Sequence, residues 1–145
     1  MILLDTDHVT VLKYRDSARY ARLSRRLAEA VEPFGTTIIT VEEQMRGWLA
    51  TVAKERTAIR QVNPYRELGR LFDFFAELNI EYFNEAAAAK FDEFNRLKIS
   101  TMDRKIAAIA VTQNALLLTA NHRDFSRVPG LRIENWMDDP MPPTG

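Results

Sequence analysis

No cysteine occurs among the 145 residues, which excludes disulfide staples, thiolate metal sites and a cysteine nucleophile, and fits a reducing cytosol. Two histidines, His8 and His122, are too few for a histidine-rich zinc site. No apolar run approaches the roughly 20 residues of a membrane span, so no membrane contact is expected. The opening Met-Ile-Leu-Leu-Asp lacks a basic n-region and meets an acid at position 5, unlike a secretory leader. The expectation is a cytoplasmic protein. Net charge is also missing, with 20 basic residues set against 20 acidic ones, which argues against a protein that coats nucleic acid.

What is present is an ordinary globular balance, 46% hydrophobic and 28% charged, long enough to bury a core without staples. We read one domain over residues 1–136 and a Pro-rich tail over 137–145. The charges are unevenly spread: residues 13–70 carry 12 basic and 7 acidic groups, and residues 71–145 carry 8 basic and 11 acidic ones. A polyanion would meet the first half more readily.

Strand and helix signals alternate along the chain. Ile2-Leu3-Leu4 is a short apolar run ending at Asp5, and a short helix is expected over residues 9–14. Tyr20, Leu23, Leu27 and Val31 recur at helical spacing, with Arg19, Arg22 and Arg26 on another side. The β-branched residues 36–40 suit a second strand, with Thr40 capping the helix that follows. Asn63-Pro64 resembles a cap and first-turn proline, leading into the stripe Tyr65, Leu68, Phe72, Phe75. A third strand is expected at 80–83, then a helix capped by Asn84. Ser100 or Thr101 caps a helix over 102–113. A fourth strand is read at 116–119, a polar loop at 121–124 and a last strand at 131–136. This order predicts a three-layer α/β/α sandwich around a mainly parallel sheet of about four to five strands.

In open α/β sheets, ligand sites gather beyond the carboxyl ends of the strands. Asp5 ends the first strand, Glu43 lies in the first helical turn after the second, Asp103 opens the helix at 102, and Asn121 and Asp124 follow the fourth. Carboxylate and carbonyl-type oxygens are what hard cations such as Mg²⁺ and Mn²⁺ prefer. Acids converging on one spot repel each other strongly, so they imply a bound cation or a raised pKa. A cation held this way activates water and offsets phosphoryl charge, which is phosphodiester hydrolysis without a protein nucleophile.

Four segments then carry a resemblance. Leu3-Leu4-Asp5-Thr6-Asp7 is similar to the opening strand of PIN domains, in which the acid at the position of Asp5 binds metal. Residues 38–47 resemble the second motif, where Thr stands three before the functional acid and Gly four after it, selecting Glu43 rather than Glu42. Asp103-Arg104-Lys105-Ile106-Ala107-Ala108 resembles the third. Residues 119–125, then Val128-Pro129-Gly130-Leu131 and Trp136, resemble the carboxyl-terminal signature of VapC-type toxins. Many relatives place a fourth acid where this chain has Asn121, so either Asn121 supplies a neutral oxygen or Asp124 fills the role. The resemblance spans residues 2 to about 136. It implies a Mg²⁺- or Mn²⁺-dependent endoribonuclease with Asp5, Glu43 and Asp103 as its acids and Asn121 or Asp124 in the fourth place. It also implies homodimers, neutralisation by a cognate antitoxin protein, and contact with operator DNA only through that antitoxin.

Other residues have blander readings beside the functional one. Asp7 is either a cap or a support for Asp5. The arginine face is a solvated helix side or an RNA contact, while Arg46 and Lys105 are better phosphate candidates for lying close after the acids. His122 reads as a surface residue. An aromatic-rich helical hairpin over 44–78 suits dimerisation or antitoxin docking. Two rival functions remain: a PIN-fold binding module with an incomplete metal site, and a haloacid-dehalogenase-type phosphatase built on the Asp5-x-Asp7 pair. The second lacks the late acid pair that family needs after a strand.

Overall fold

In the computed structural model, residues 1–139 are described, and three consecutive leucine-class residues at each of two places set the centre of the molecule. Strand β1 (Ile2–Leu4) and strand β4 (Leu116–Leu118) are buried at every position, as strands covered on both faces must be. They pair in parallel, Leu3 opposite Leu117. Strand β2 (Phe34–Thr37) flanks β1 on the other side, β3 (Asn79–Glu81) lies beyond β2, and β5 (Arg132–Glu134) lies beyond β4. The order is β3-β2-β1-β4-β5, and every pairing is parallel.

Alternation along the strands assigns the two faces. Leu3 and Leu117 point into a core with Ile39, Ile106, Ile109 and Phe125, whereas Ile2, Leu4, Leu116 and Leu118 point into one with Val9, Leu23, Leu71 and Phe75. Helices α5 (Glu85–Glu93) and α6 (Thr101–Thr112) contribute to the first layer; α1 (Thr6–Lys13), α2 (Ala18–Glu29) and α4 (Ala58–Ala76) contribute to the second. This is the expected three-layer sandwich. Gly35 lets β3 come close: a Cβ there would sit 2.1 Å from the Asn79 carbonyl oxygen. Among the described residues no helix is long and apolar enough to cross a membrane.

Several local expectations shift. Helix α1 starts at Thr6 instead of residue 9, because Asp5 caps it. Strand β2 stops at Thr37, whose hydroxyl accepts the Thr40 N–H at 3.2 Å, so that the cap of α3 (Ile38–Lys54) lies three residues before the expected one. The β-branched run Thr37–Thr40 hid this boundary, since β propensity and capping compete in the same residues. Pro64 is buried inside α4, which starts after Thr57; Asn63 is no cap. Val31 is fully exposed, two residues past the end of α2, so it leaves the buried stripe. The polar segment 121–124 forms most of a short helix, α7 (His122–Phe125), capped by Asn121. The tail drawn from 137 begins in the core: Met137 is buried and Asp138 is hydrogen-bonded to Arg19. Residues 140–145 lie outside the described residues.

Candidate active site

The strand order reverses between β1 and β4, the place where an open parallel sheet leaves a crevice at its carboxyl edge. Asp5 stands there. Its backbone N–H donates to the Leu118 carbonyl at 2.9 Å, which joins the two strand ends. One carboxylate oxygen accepts the Thr6 N–H at 2.8 Å, and the other accepts the Thr119 hydroxyl at 2.8 Å. Asp5 is only 6% exposed. Burial, then the neighbouring Asp7 charge and more weakly Asp103, push its carboxyl up to about 7 against the two hydrogen bonds.

Asp7 is held the opposite way. Burial works to raise it, but hydrogen bonds from His8 and the Ala120 N–H outweigh burial, and the carboxyl lies below its usual value. The fully buried His8 ring links two distant segments: the Trp136 N–H donates to Nε2 at 3.1 Å, and Nδ1 lies 2.6 Å from Asp7 Oδ1. Because Nε2 accepts, Nδ1 carries the proton and donates to Asp7. The other Asp7 oxygen accepts the Ala120 N–H at 2.8 Å. Asp7 is therefore a clamp between α1 and the end of β4, while the cap of α1 is Asp5. His8→Leu strands Asp7 and the Trp136 N–H, and we expect it to cost about 2–4 kcal/mol in urea unfolding. His8→Asn, which keeps a donor toward Asp7, is expected to cost clearly less.

Glu43 lies on α3. Since α3 starts at Ile38, Glu43 falls in its second turn rather than the first, and no acid occupies the first turn. Complementing the helix dipole is thus a weaker explanation for it. Its Oε1 is buried with no hydrogen-bond partner among the described residues. Burial, then Asp103 and Glu42, raise its carboxyl, against the Thr6 hydroxyl. Asp103 sits in the first turn of α6, whose cap Ser100 accepts the Asp103 N–H at 3.1 Å. Burial raises Asp103 too, with further contributions from the charges of Asp124 and Asp7.

Asp124 projects from α7, and Asn121 grips it twice. The Asn121 Oδ1 accepts the Asp124 N–H at 3.3 Å, and its amide nitrogen donates to Asp124 Oδ2 at 3.2 Å. The neutral oxygen of Asn121 is already engaged, while the charge of Asp124 reaches Asp103. Asp5, Asp7, Glu43, Asp103 and Asp124 therefore share one electrostatic neighbourhood, drawn from four helices and a strand end.

Thr119, which opens the carboxyl-terminal signature segment, was given no role in the sequence, yet it donates to Asp5 and accepts the Asn121 N–H at 3.0 Å. Its place in that segment, directly after the buried strand, was the available signal. The arginine face proves to be neither free nor merely solvated. Arg19 makes paired 2.9 Å bonds to Asp138, Arg22 donates to the Met137 carbonyl, and Arg26 stacks over Trp136 at 4.7 Å. Arg46 pairs with Glu42, Lys105 lies 6.0 Å over the Phe83 ring, and His122 is exposed.

A hard cation suits this donor set. An orphaned buried carboxylate oxygen on Glu43 beside three mutually repelling acids is what a divalent ion would satisfy. Among the described residues no three acidic or histidine side chains are gathered into a ready-made ligand cage. Mg²⁺ keeps several waters and takes only one or two direct carboxylates, so a looser ring of acids is compatible with it. Asp7, saturated by His8 and Ala120, has no free role as a phosphatase acid.

Comparison with known proteins bears on the family and the fold. A 66-residue stretch is 36% identical to the Ribonuclease VapC2 of Rickettsia felis and covers 46% of this chain. That stretch spans about half the length (47%) of the relative. The structure resembles that of VapBC2 from Rickettsia felis bound to a DNA fragment from its promoter, with a TM-score of 0.71 and 25% identity over 94% of this chain and 99% of that one. It also resembles the fold in DNA-bound VapBC from Salmonella typhimurium, with a TM-score of 0.70 and 24% identity over 93% and 97% of the two chains. The family model of the PIN domain matches residues 2–131, everything from β1 to the turn before β5. The chain belongs to the PIN domain family.

Proposed function

We propose that this protein is a metal-dependent endoribonuclease of the VapC toxin type, hydrolysing RNA phosphodiesters at the carboxyl edge of β1 and β4. The observation that carries the reading is the shared neighbourhood of Asp5, Glu43 and Asp103, with a buried Glu43 oxygen, Oε1, that has no hydrogen-bond partner among the described residues. Asp5, Glu43, Asp103 and Asp124 would hold Mg²⁺ or Mn²⁺. When bound, the ion supplies water activation and charge neutralisation at the phosphoryl group. The chain's own residues do the positioning. Thr119 and the Thr6 N–H fix both oxygens of Asp5, and Asn121 fixes Asp124. Asp7 locks the β4–α7 loop to α1 through Ala120.

The Rickettsia relative bears the name of a ribonuclease, and the similar structures are VapBC pairs on DNA. By that likeness a cognate antitoxin neutralises this protein, which acts in the cytoplasm as a homodimer and meets operator DNA only through the antitoxin. Ile59, Val62, Tyr65 and Phe72 of α4 are all exposed, an apolar display that suits a protein partner. The test of the activity is RNA cleavage by purified protein, present with Mg²⁺ or Mn²⁺ and absent with EDTA. RNA binding without cleavage under every cation would assign the fold to a binding module instead.

A further inference from the structure

Gly47 occupies the interior of α3, where glycine costs about 1 kcal/mol relative to alanine. Packing does not require it: a Cβ at this position would meet no atom within 4 Å. The open space is a cavity of about 260 Å³ between α1 and α3, walled by Lys13, Tyr14, Glu43, Gln44, Gly47 and Trp48. Each wall has a chemistry. Trp48 and Tyr14 present aromatic surface, and Tyr14 is 48% exposed. Lys13 donates to the Gln44 side-chain oxygen at 3.1 Å and, among the described residues, forms no ion pair with a carboxylate. Glu43 belongs both to this cavity and to the acid cluster. The volume lies below that of drug-sized ligand pockets, which begin at about 300 Å³. It suits one flat ring system better than a docked helix.

The geometry points to a nucleotide subsite, in which an unpaired base flanking the scissile phosphate lies against the Gly47 backbone between Trp48 and Tyr14, with Lys13 near its phosphate. This rests on the nuclease reading above and adds where the substrate strand runs. Stacking on aromatic side chains and a single cation is how proteins hold single-stranded RNA. The absent Cβ at Gly47 is then what lets the ring approach.

The experiment compares Gly47→Leu with Gly69→Leu. Gly69 is equally open, lies on α4 and does not line the cavity. Both substitutions raise helix propensity and are expected to raise Tm by about 2–4 °C. Binding is followed by fluorescence anisotropy of a labelled, mixed-sequence single-stranded RNA oligomer in EDTA, so that cleavage does not intervene. Gly47→Leu is expected to bind about tenfold more weakly and Gly69→Leu as the wild type does. Equal RNA affinity in the two variants overturns the subsite and leaves the nuclease reading standing. Unchanged affinity with altered self-association in sedimentation overturns it in favour of a protein contact. Wild-type protein that neither binds nor cleaves RNA sinks the nuclease reading and the subsite with it.

Discussion

Asp5→Asn and Asp103→Asn are each expected to lower RNA cleavage by about a thousandfold, with secondary structure and cooperative unfolding retained. The substitutions keep the volume and much of the hydrogen bonding. Asn at position 5 still accepts the Thr6 N–H and still caps α1, and position 103 still gives its N–H to Ser100. What is lost is one negative charge from a cluster whose members raise one another. Asp124→Asn is expected to lose less, about tenfold to a hundredfold, because the Asp124 charge is felt at Asp103 but is not among those that raise Asp5 or Glu43. Asn121→Ala should follow Asp124→Asn, since it releases the side chain it holds. Single-turnover cleavage of a substrate RNA identified by end mapping would check the order. Full activity in Asp5→Asn would contradict the assignment of the site.

The second large effect is on stability, and it runs against the usual sense for a carboxylate. Asp5 titrates at about 7 in the fold, against a usual value of 3.8. Between those values the folded protein holds a proton that the unfolded chain has released, so stability falls as pH rises and levels off above about 7. The full difference caps the contribution at about 4 kcal/mol. Glu43 and Asp103, also raised, act in the same direction. Asp7, held low, loses its contribution only as pH falls through its folded value, beneath the window of the others. Metal-free protein is therefore expected to have a higher Tm at about pH 5.5 than at about pH 7.5. Asp5→Asn should flatten that dependence and be more stable than wild type at neutral pH without cation. The substitution that removes activity would then strengthen the fold, a trade expected of functional residues and not of structural ones. A Tm that rises steadily from pH 5.5 to 7.5 in EDTA would exclude the crowded-acid description.

The sheet and the acids were readable for different reasons. Leu-rich runs at 2–4 and 116–118 are buried on both faces, so composition alone marked them as central strands. Asp5, Glu43 and Asp103 were singled out by register within motifs, and the fold brings them into one electrostatic neighbourhood even though α3 begins earlier than expected. What escaped the sequence depends on contacts between distant segments. The link from Trp136 through His8 to Asp7 joins residues 128 positions apart, and no periodicity encodes it. The arginine face of α2 has a repeating spacing but no cue that residues 136–138 return to cover it. Pro64 misled because a proline suits a first turn, yet α4 carries it in its interior. That the Asn121 side chain holds Asp124 needed coordinates, because spacing does not encode a hydrogen bond between the two candidates.

The most direct test is Mn²⁺ binding at about pH 7.5, followed by electron paramagnetic resonance on wild type and on Asp5→Asn, Glu43→Gln and Asp103→Asn, with no RNA present. The account predicts saturable binding to wild type that weakens by about tenfold or more in each variant. Mn²⁺ affinity that is equal in all four proteins, or absent from wild type, would contradict the claim that these acids serve one ion.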